Sequence, residues 1–302
     1  MTFQELTDWY LGLEKVKALA YFPTLKINLA SFNEEFGTHT IPEIKPADLE
    51  NYQAKKKAHG YSDNYVDHQI GAAKVVVNKA FDNDMVSGET VKVFKRVKKL
   101  LKRNANARDR VLTIEELKSI LDNAAPHIRA VVSTGFYSGM RRGEILGLTW
   151  DRVNLEERVI KLEAQDTKDR EPRTIPISQE LFQILKSVPR ALHDNHVFLY
   201  QGKPVQSIKT GLIRACRDAK IDYGRFAKGG FIFHDLRHCF NTNMRRAGVA
   251  ESVIMSITGH STRTMFDRYN TIDAEDAQNA ISQLGRYLGE IDQNVDQEGL
   301  EQ

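Results

Sequence analysis

The chain has 302 residues, more than one hydrophobic core usually organises, so two domains are expected. Its 41% hydrophobic and 27% charged content excludes collagen-like, coiled-coil and wholly disordered chains. The net charge is +3, but residues 290–302 hold Glu290, Asp292, Asp296, Glu298 and Glu301 and no Lys or Arg, so the rest of the chain is more basic than the total and suits an anionic partner such as nucleic acid.

The first hundred residues read as helices. Phe3, Leu6, Tyr10 and Leu13 recur at helical spacing, as do Leu25, Leu29, Phe32 and Phe36 before the stop at Gly37. Pro46 suits the first turn of a helix carrying Leu49 and Tyr52. A longer helix is expected from Asp63 to Phe81, with Val66, Ile70, Ala73 and Val77 on one face. A dense basic stretch follows, with Lys92, Lys95, Arg96, Lys98, Lys99, Lys102, Arg103, Arg108 and Arg110 opposed only by Asp109. It reads as a short helix and then an exposed linker: either a solvated face or a strap that tracks DNA phosphates, with Lys98, Lys99, Lys102 and Arg103 as the contacts.

Thr113-Ile-Glu-Glu116 is a capping box and starts a helix. Further helices are expected over His127–Tyr137 and, after Gly139, over Arg141–Leu148. Val159, Ile160 and Leu162 form one strand candidate and Thr174–Ile177 another, with Asp166–Pro172 as the turn between them. The remainder is helical, ending in a helix capped by Asp273 that carries Ala277, Ile281, Leu284 and Leu288. No apolar run has membrane-spanning length, and no signal peptide opens the chain, so no membrane partner is expected. The two cysteines, Cys216 and Cys239, form no disulfide framework or zinc site by themselves and point to the reducing cytoplasm.

Four local patterns bear chemistry. In Phe233-His-Asp-Leu-Arg-His238, His234 and Arg237 lie three apart, a proton carrier beside a fixed cation. In Gly139-Met-Arg-Arg-Gly-Glu144, a helix start presents N–H groups and Arg141 to an anion, and Glu144 can orient the guanidinium from behind. Lys168 sits in the turn between the strands, and Gly259-His260 is followed nine residues later by Tyr269. Each pattern alone more often marks an ordinary surface or core residue than a catalytic one.

Taken together and in order, Arg141, Lys168, His234, Arg237, His260 and Tyr269 resemble the catalytic set of the tyrosine recombinases, the phage integrase and Xer-like group. The resemblance covers roughly Arg110 to Leu288 and includes Arg173-Thr-Ile-Pro176 after Lys168. The chain departs from it at Thr258, where Leu usually precedes Gly-His, at Phe266, where Thr is common, and at Asn270, where His often follows the nucleophile.

The resemblance implies a mainly α fold with a small antiparallel β-sheet in the catalytic domain, arranged as a two-domain DNA clamp. Residues 1–103 would be a helical, SAM-like core-binding domain, 104–110 a basic linker, 111–289 the catalytic domain and 290–302 an acidic tail. It implies cleavage and rejoining of duplex DNA at recombination sites through a 3′-phosphotyrosyl intermediate on Tyr269, with no metal and no ATP. It also implies a homotetramer in the synaptic complex, with DNA-bending or directionality factors as possible accessories. The chain enters the core-binding pattern almost at once, as a simple recombinase or a truncated integrase would. Three other readings stay open: a type IB-like topoisomerase or telomere resolvase, a non-catalytic DNA-binding regulator of the same fold, and a phosphate-monoester hydrolase built on His and Arg.

Overall fold

The computed structural model describes every residue except 103, 104, 106, 107, 109, 168, 267–276, 279, 283 and 289–302. The chain divides into two compact units, Met1–Ala105 and Asn106–Gln302.

The first unit is helical: α1 (Phe3–Gly12), α2 (Glu14–Lys17), α3 (Phe22–Phe36), α4 (Pro46–Ala58), α5 (Asp63–Phe81) and α6 (Gly88–Arg96). Helix α1 starts in a capping box, Thr2 Oγ1 accepting the Glu5 N–H and the Glu5 carboxylate accepting the Thr2 N–H. Pro46 opens α4, and Ser62 caps α5. The buried faces meet in an aromatic cluster of Phe3, Phe32, Phe36, Tyr52 and Phe94. The Tyr52 hydroxyl donates to Gln69 Oε1 at 2.8 Å, which satisfies the one polar end the cluster buries.

After α6 the backbone stays fastened to this unit. Lys74 Nζ donates to the Val97 carbonyl at 2.8 Å and Gln53 Nε2 to that of Lys98 at 2.9 Å. The Asp67 carboxylate accepts the N–H groups of Leu100 and Leu101, each at 2.9 Å. Meanwhile the side chains of Lys98, Lys99 and Lys102 are exposed. Arg103 lies outside the described residues.

The second unit opens with α7 (Ile114–Asp122), α8 (Pro126–Ser138) and the short α9 (Arg142–Leu146). The expected capping box at Thr113 and Glu116 is present. Strands β1 (Val153–Asn154), β2 (Val159–Leu162) and β3 (Arg173–Pro176) form an antiparallel sheet in that order, with Ile160 opposite Ile175. Then come α10 (Gln179–Ser187), a hairpin of β4 (Leu199–Tyr200) and β5 (Lys203–Pro204), α11 (Lys209–Asp218), α12 (Asp235–Arg246), α13 (Glu251–Thr258) and α14 (Arg263–Phe266). Strand β1 and the β4–β5 hairpin were not expected; two-residue strands carry no readable alternation.

The core runs through Val131, Ile145, Ile160, Leu181, Leu212 and Leu236, all essentially inaccessible. Cys216 and Cys239 are buried in it, and burial pushes their thiols up, to about 12 and about 11 respectively. Cys239 Sγ accepts the Leu112 N–H at 3.2 Å.

Arg108 and Arg110 belong to this unit rather than to an exposed basic strap. Arg108 donates to both Asp235 oxygens and to the carbonyls of Arg225 and Gly230. Arg110 donates to Glu116 at 2.6 Å and to the Gly229 carbonyl at 2.9 Å. Among the described residues no helix is long and apolar enough to cross a membrane.

Candidate active site

Two glycines in left-handed conformation end the helices that enclose the site. Gly139 (φ 63°) ends α8, and a Cβ there would stand 2.6 Å from the Phe240 ring; Gly259 (φ 69°) ends α13, with Arg173 Nη1 3.0 Å from where its Cβ would be. Their carbonyls point inward. Gly139 O accepts Arg237 Nη1 at 2.8 Å, and Gly259 O accepts Arg141 Nη2 at 3.2 Å.

Arg141 sits at the N-cap of α9, one residue before the helix. Glu144 receives the Arg141 backbone N–H at 2.8 Å and Arg141 Nη1 at 3.1 Å, the orienting role its spacing foretold. The Glu144 carboxylate thus occupies the Arg141 N–H and one arm of its guanidinium from within the chain, and α9 is only five residues long. Arg173, unassigned from sequence, completes the support: its Nη2 reaches the same Glu144 carboxylate at 2.5 Å and its Nε the Ile257 carbonyl at 3.0 Å. Burial acts to raise the Glu144 pKa, but the bonds and charges of Arg173 and then Arg141 hold it below the usual carboxylate range. Asp169, the residue after Lys168, accepts Arg141 Nη2 at 2.7 Å. Lys168 itself lies outside the described residues, as does Tyr269.

His234 caps α12 instead of lying within it, so it shares the first turn with Arg237 rather than a mid-helix face. His234 is exposed as a residue, yet its imidazole is partly desolvated by the protein around it. That partial desolvation, followed by the Arg237 charge, holds its pKa below the ordinary imidazole value.

Arg237 is 2% exposed. Its Nη2 lies 3.1 Å from His260 Nε2, and His260 Nδ1 lies 2.8 Å from Thr258 Oγ1. Phe266 packs edge-on against the His260 ring, 5.7 Å between centroids. Burial, then the charges of Arg237 and Arg141, push the His260 pKa down to about 3. Arg141, His234, Arg237 and His260 thus lie within electrostatic reach of one another. Thr258, Asp169 and Arg173 are the participants that sequence reasoning left unassigned.

The second unit is therefore a helical body with a polar site that holds two supported guanidiniums and two imidazoles kept neutral, an arrangement suited to handling a phosphodiester. The fold of the chain is similar to that of a chain in a lambda integrase tetramer bound to a Holliday junction, at TM-score 0.71 and 13% identity over 90% of this chain and 78% of that one. The Phage integrase family pattern matches residues 110–276, more than half of the chain. The chain belongs to the phage integrase family. It is 26% identical to the integrase of Salmonella phage P22 over 62% of its own length and 49% of that protein's, so it spans about half of that relative. It is likewise 26% identical to the tyrosine recombinase XerA of Pyrococcus furiosus, over 78% of this chain and 79% of XerA.

Proposed function

We propose that the chain is a site-specific DNA recombinase that cuts and rejoins duplex DNA through Tyr269, without metal or ATP. The observation that carries this reading is the gathering of Arg141, His234, Arg237 and His260 around one polar site, inside the span that matches the family.

The Tyr269 oxygen attacks phosphorus, a P–O(Tyr) bond forms and the bond to the 5′ oxygen breaks. A phenol of ordinary acidity is only about 0.1% ionised at pH 7, so its proton must be taken, and the exposed, neutral His234 serves as the base. Lys168 returns a proton to the departing 5′ oxygen. Arg141 and Arg237 hold the charge that builds on the non-bridging oxygens, the phosphate taking the place of Asp169 on Arg141. Their fixed positive charge supplies what a divalent ion supplies in other phosphoryl-transfer enzymes. The sequence has no Gly-x-x-x-x-Gly-Lys nucleotide loop, and the covalent link stores the energy of the broken phosphodiester for rejoining.

Duplex recombination sites are the substrate, and exchange between two duplexes needs four cuts, hence four protomers. The lambda integrase tetramer supports that count. DNA-bending or directionality factors would act as accessories, and the buried reduced thiols suit the cytoplasm.

The test is incubation with a nicked suicide duplex followed by a denaturing gel. Wild type should leave a covalent protein–DNA adduct, and Tyr269→Phe should bind the duplex but leave none. Adduct of undiminished yield from Tyr269→Phe overturns the assignment; adduct that resolves only into relaxed circles or hairpin ends moves the protein to the topoisomerase or resolvase reading.

A further inference from the structure

Three side chains in the site form a hydrogen-bond chain whose direction is fixed at one end. Arg237 carries only donors, so where its Nη2 meets His260 Nε2 at 3.1 Å the imidazole nitrogen must offer a lone pair. The proton of a neutral His260 then resides on Nδ1, which faces Thr258 Oγ1 at 2.8 Å. Thr258 Oγ1 accepts it, and the Thr258 hydroxyl sends its own proton to the Ile254 carbonyl one turn back in α13, at 2.7 Å. The reverse order would set an Nε2–H against a guanidinium N–H. A doubly protonated ring would do the same beside Arg237, with Arg141, Arg173 and His234 also within electrostatic reach.

Thr258 is fully buried, and a Gly139 side chain would press on its methyl group, so the hydroxyl has a tightly packed place in α13. A Leu at this position would offer Nδ1 no acceptor at all.

We infer that Thr258 is a positioning residue that fixes His260 as the Nδ1–H tautomer, so that His260 Nε2 accepts from Arg237 and aims that guanidinium. His260 in the DNA-free protein is therefore a holder of Arg237 and not a ready donor to a phosphate oxygen. The tautomer stands on the local geometry alone; its effect on cleavage rests on the recombinase reading given above.

The experiment uses full-length protein carrying ¹⁵N-histidine, free of DNA at pH 7, with ring nitrogens correlated to carbon-bound ring protons and the His260 signals assigned through His260→Gln. Wild type should show a protonated Nδ1 and a bare Nε2. Thr258→Val, nearly isosteric but lacking the hydroxyl, should lose that pure pattern, and Thr258→Ser should restore it. On the nicked suicide duplex at saturating protein, Thr258→Val should slow single-turnover adduct formation about tenfold, the scale on which loss of an orienting partner is felt, with DNA affinity little changed; Thr258→Ser should bring the rate back. An Nε2–H tautomer or an imidazolium in wild type overturns the inference, and so does a Thr258→Val spectrum identical to wild type. A shifted tautomer with an unaltered rate overturns the link to cleavage. If wild type forms no adduct, the recombinase reading fails while the spectra still decide the tautomer.

Discussion

Arg108 grips Asp235 through two parallel hydrogen bonds of 2.8 Å each, from Nε to one carboxylate oxygen and from Nη2 to the other. Asp235 is fully buried, follows His234 directly, and also accepts the Ile232 N–H at 2.9 Å. The turn that carries the proposed base is thus tied to the segment that opens the second unit. Asp235→Ala leaves a guanidinium largely buried without its carboxylate, and breaking such a pair from one side costs about 3–5 kcal/mol. Urea unfolding monitored by circular dichroism should show the loss, and a cost below about 1 kcal/mol would mean that the pair is dispensable.

The low His260 pKa makes stability depend on pH. In the unfolded chain the ring takes up a proton as pH falls through its ordinary value near 6.5, whereas the folded ring stays neutral down to about 3. The unfolded state therefore binds more protons in that window, and folding stability falls as pH falls through it. Between pH 6.5 and about 4 the loss should reach roughly 3 kcal/mol. His260→Gln should flatten the dependence; equal slopes for the two proteins would show the ring to be protonated in the fold.

The exposed lysines that follow α6 should act on DNA through charge alone. Replacing Lys98, Lys99 and Lys102 together with Arg103 by Gln should weaken binding about equally on specific and random duplexes. Each lost phosphate contact should also lower the slope of log K against log salt by about 0.9. Titrations at several salt concentrations check this, and an unchanged slope assigns these side chains to solvent.

Among the described residues within 277–288, Ile281 is 65%, Leu284 51%, Tyr287 61% and Leu288 51% exposed. Asp273, expected as the helix cap, lies outside the described residues. Closed rings are built by giving one patch and receiving another, and these side chains are suited to be given. Truncation after Asn270 should leave a folded protein that binds a single site but does not assemble on DNA. Sedimentation with and without DNA decides it: a four-subunit complex formed by the truncated chain removes the helix from assembly.

Legibility followed range. The Arg141–Glu144 pair lies three residues apart, and its geometry was readable from spacing. So was the cap at Thr113, because a cap is a local hydrogen bond between near neighbours. The contacts of Asp169 with Arg141 and of Arg173 with Glu144 span 28 and 29 residues, and nothing in local spacing announces them. Arg108 and Arg110 looked like the end of a solvated strap because charge in a sequence carries no sign of burial; carboxylates at Asp235 and Glu116 draw them inward. Thr258 stood out only as a departure from Leu, and its meaning required the ring of His260 beside it.

The two cysteines have a practical corollary. A thiol reacts with maleimides or with disulfide reagents as its thiolate, and Cys216 and Cys239 are both buried and held almost wholly in the neutral form at working pH. The natural sequence is thus already a silent background for site-directed labelling. A cysteine introduced at exposed Lys98 or Tyr287 would take a fluorophore or spin label alone, and distances between subunits on DNA would become measurable without first stripping the chain of its native sulfur.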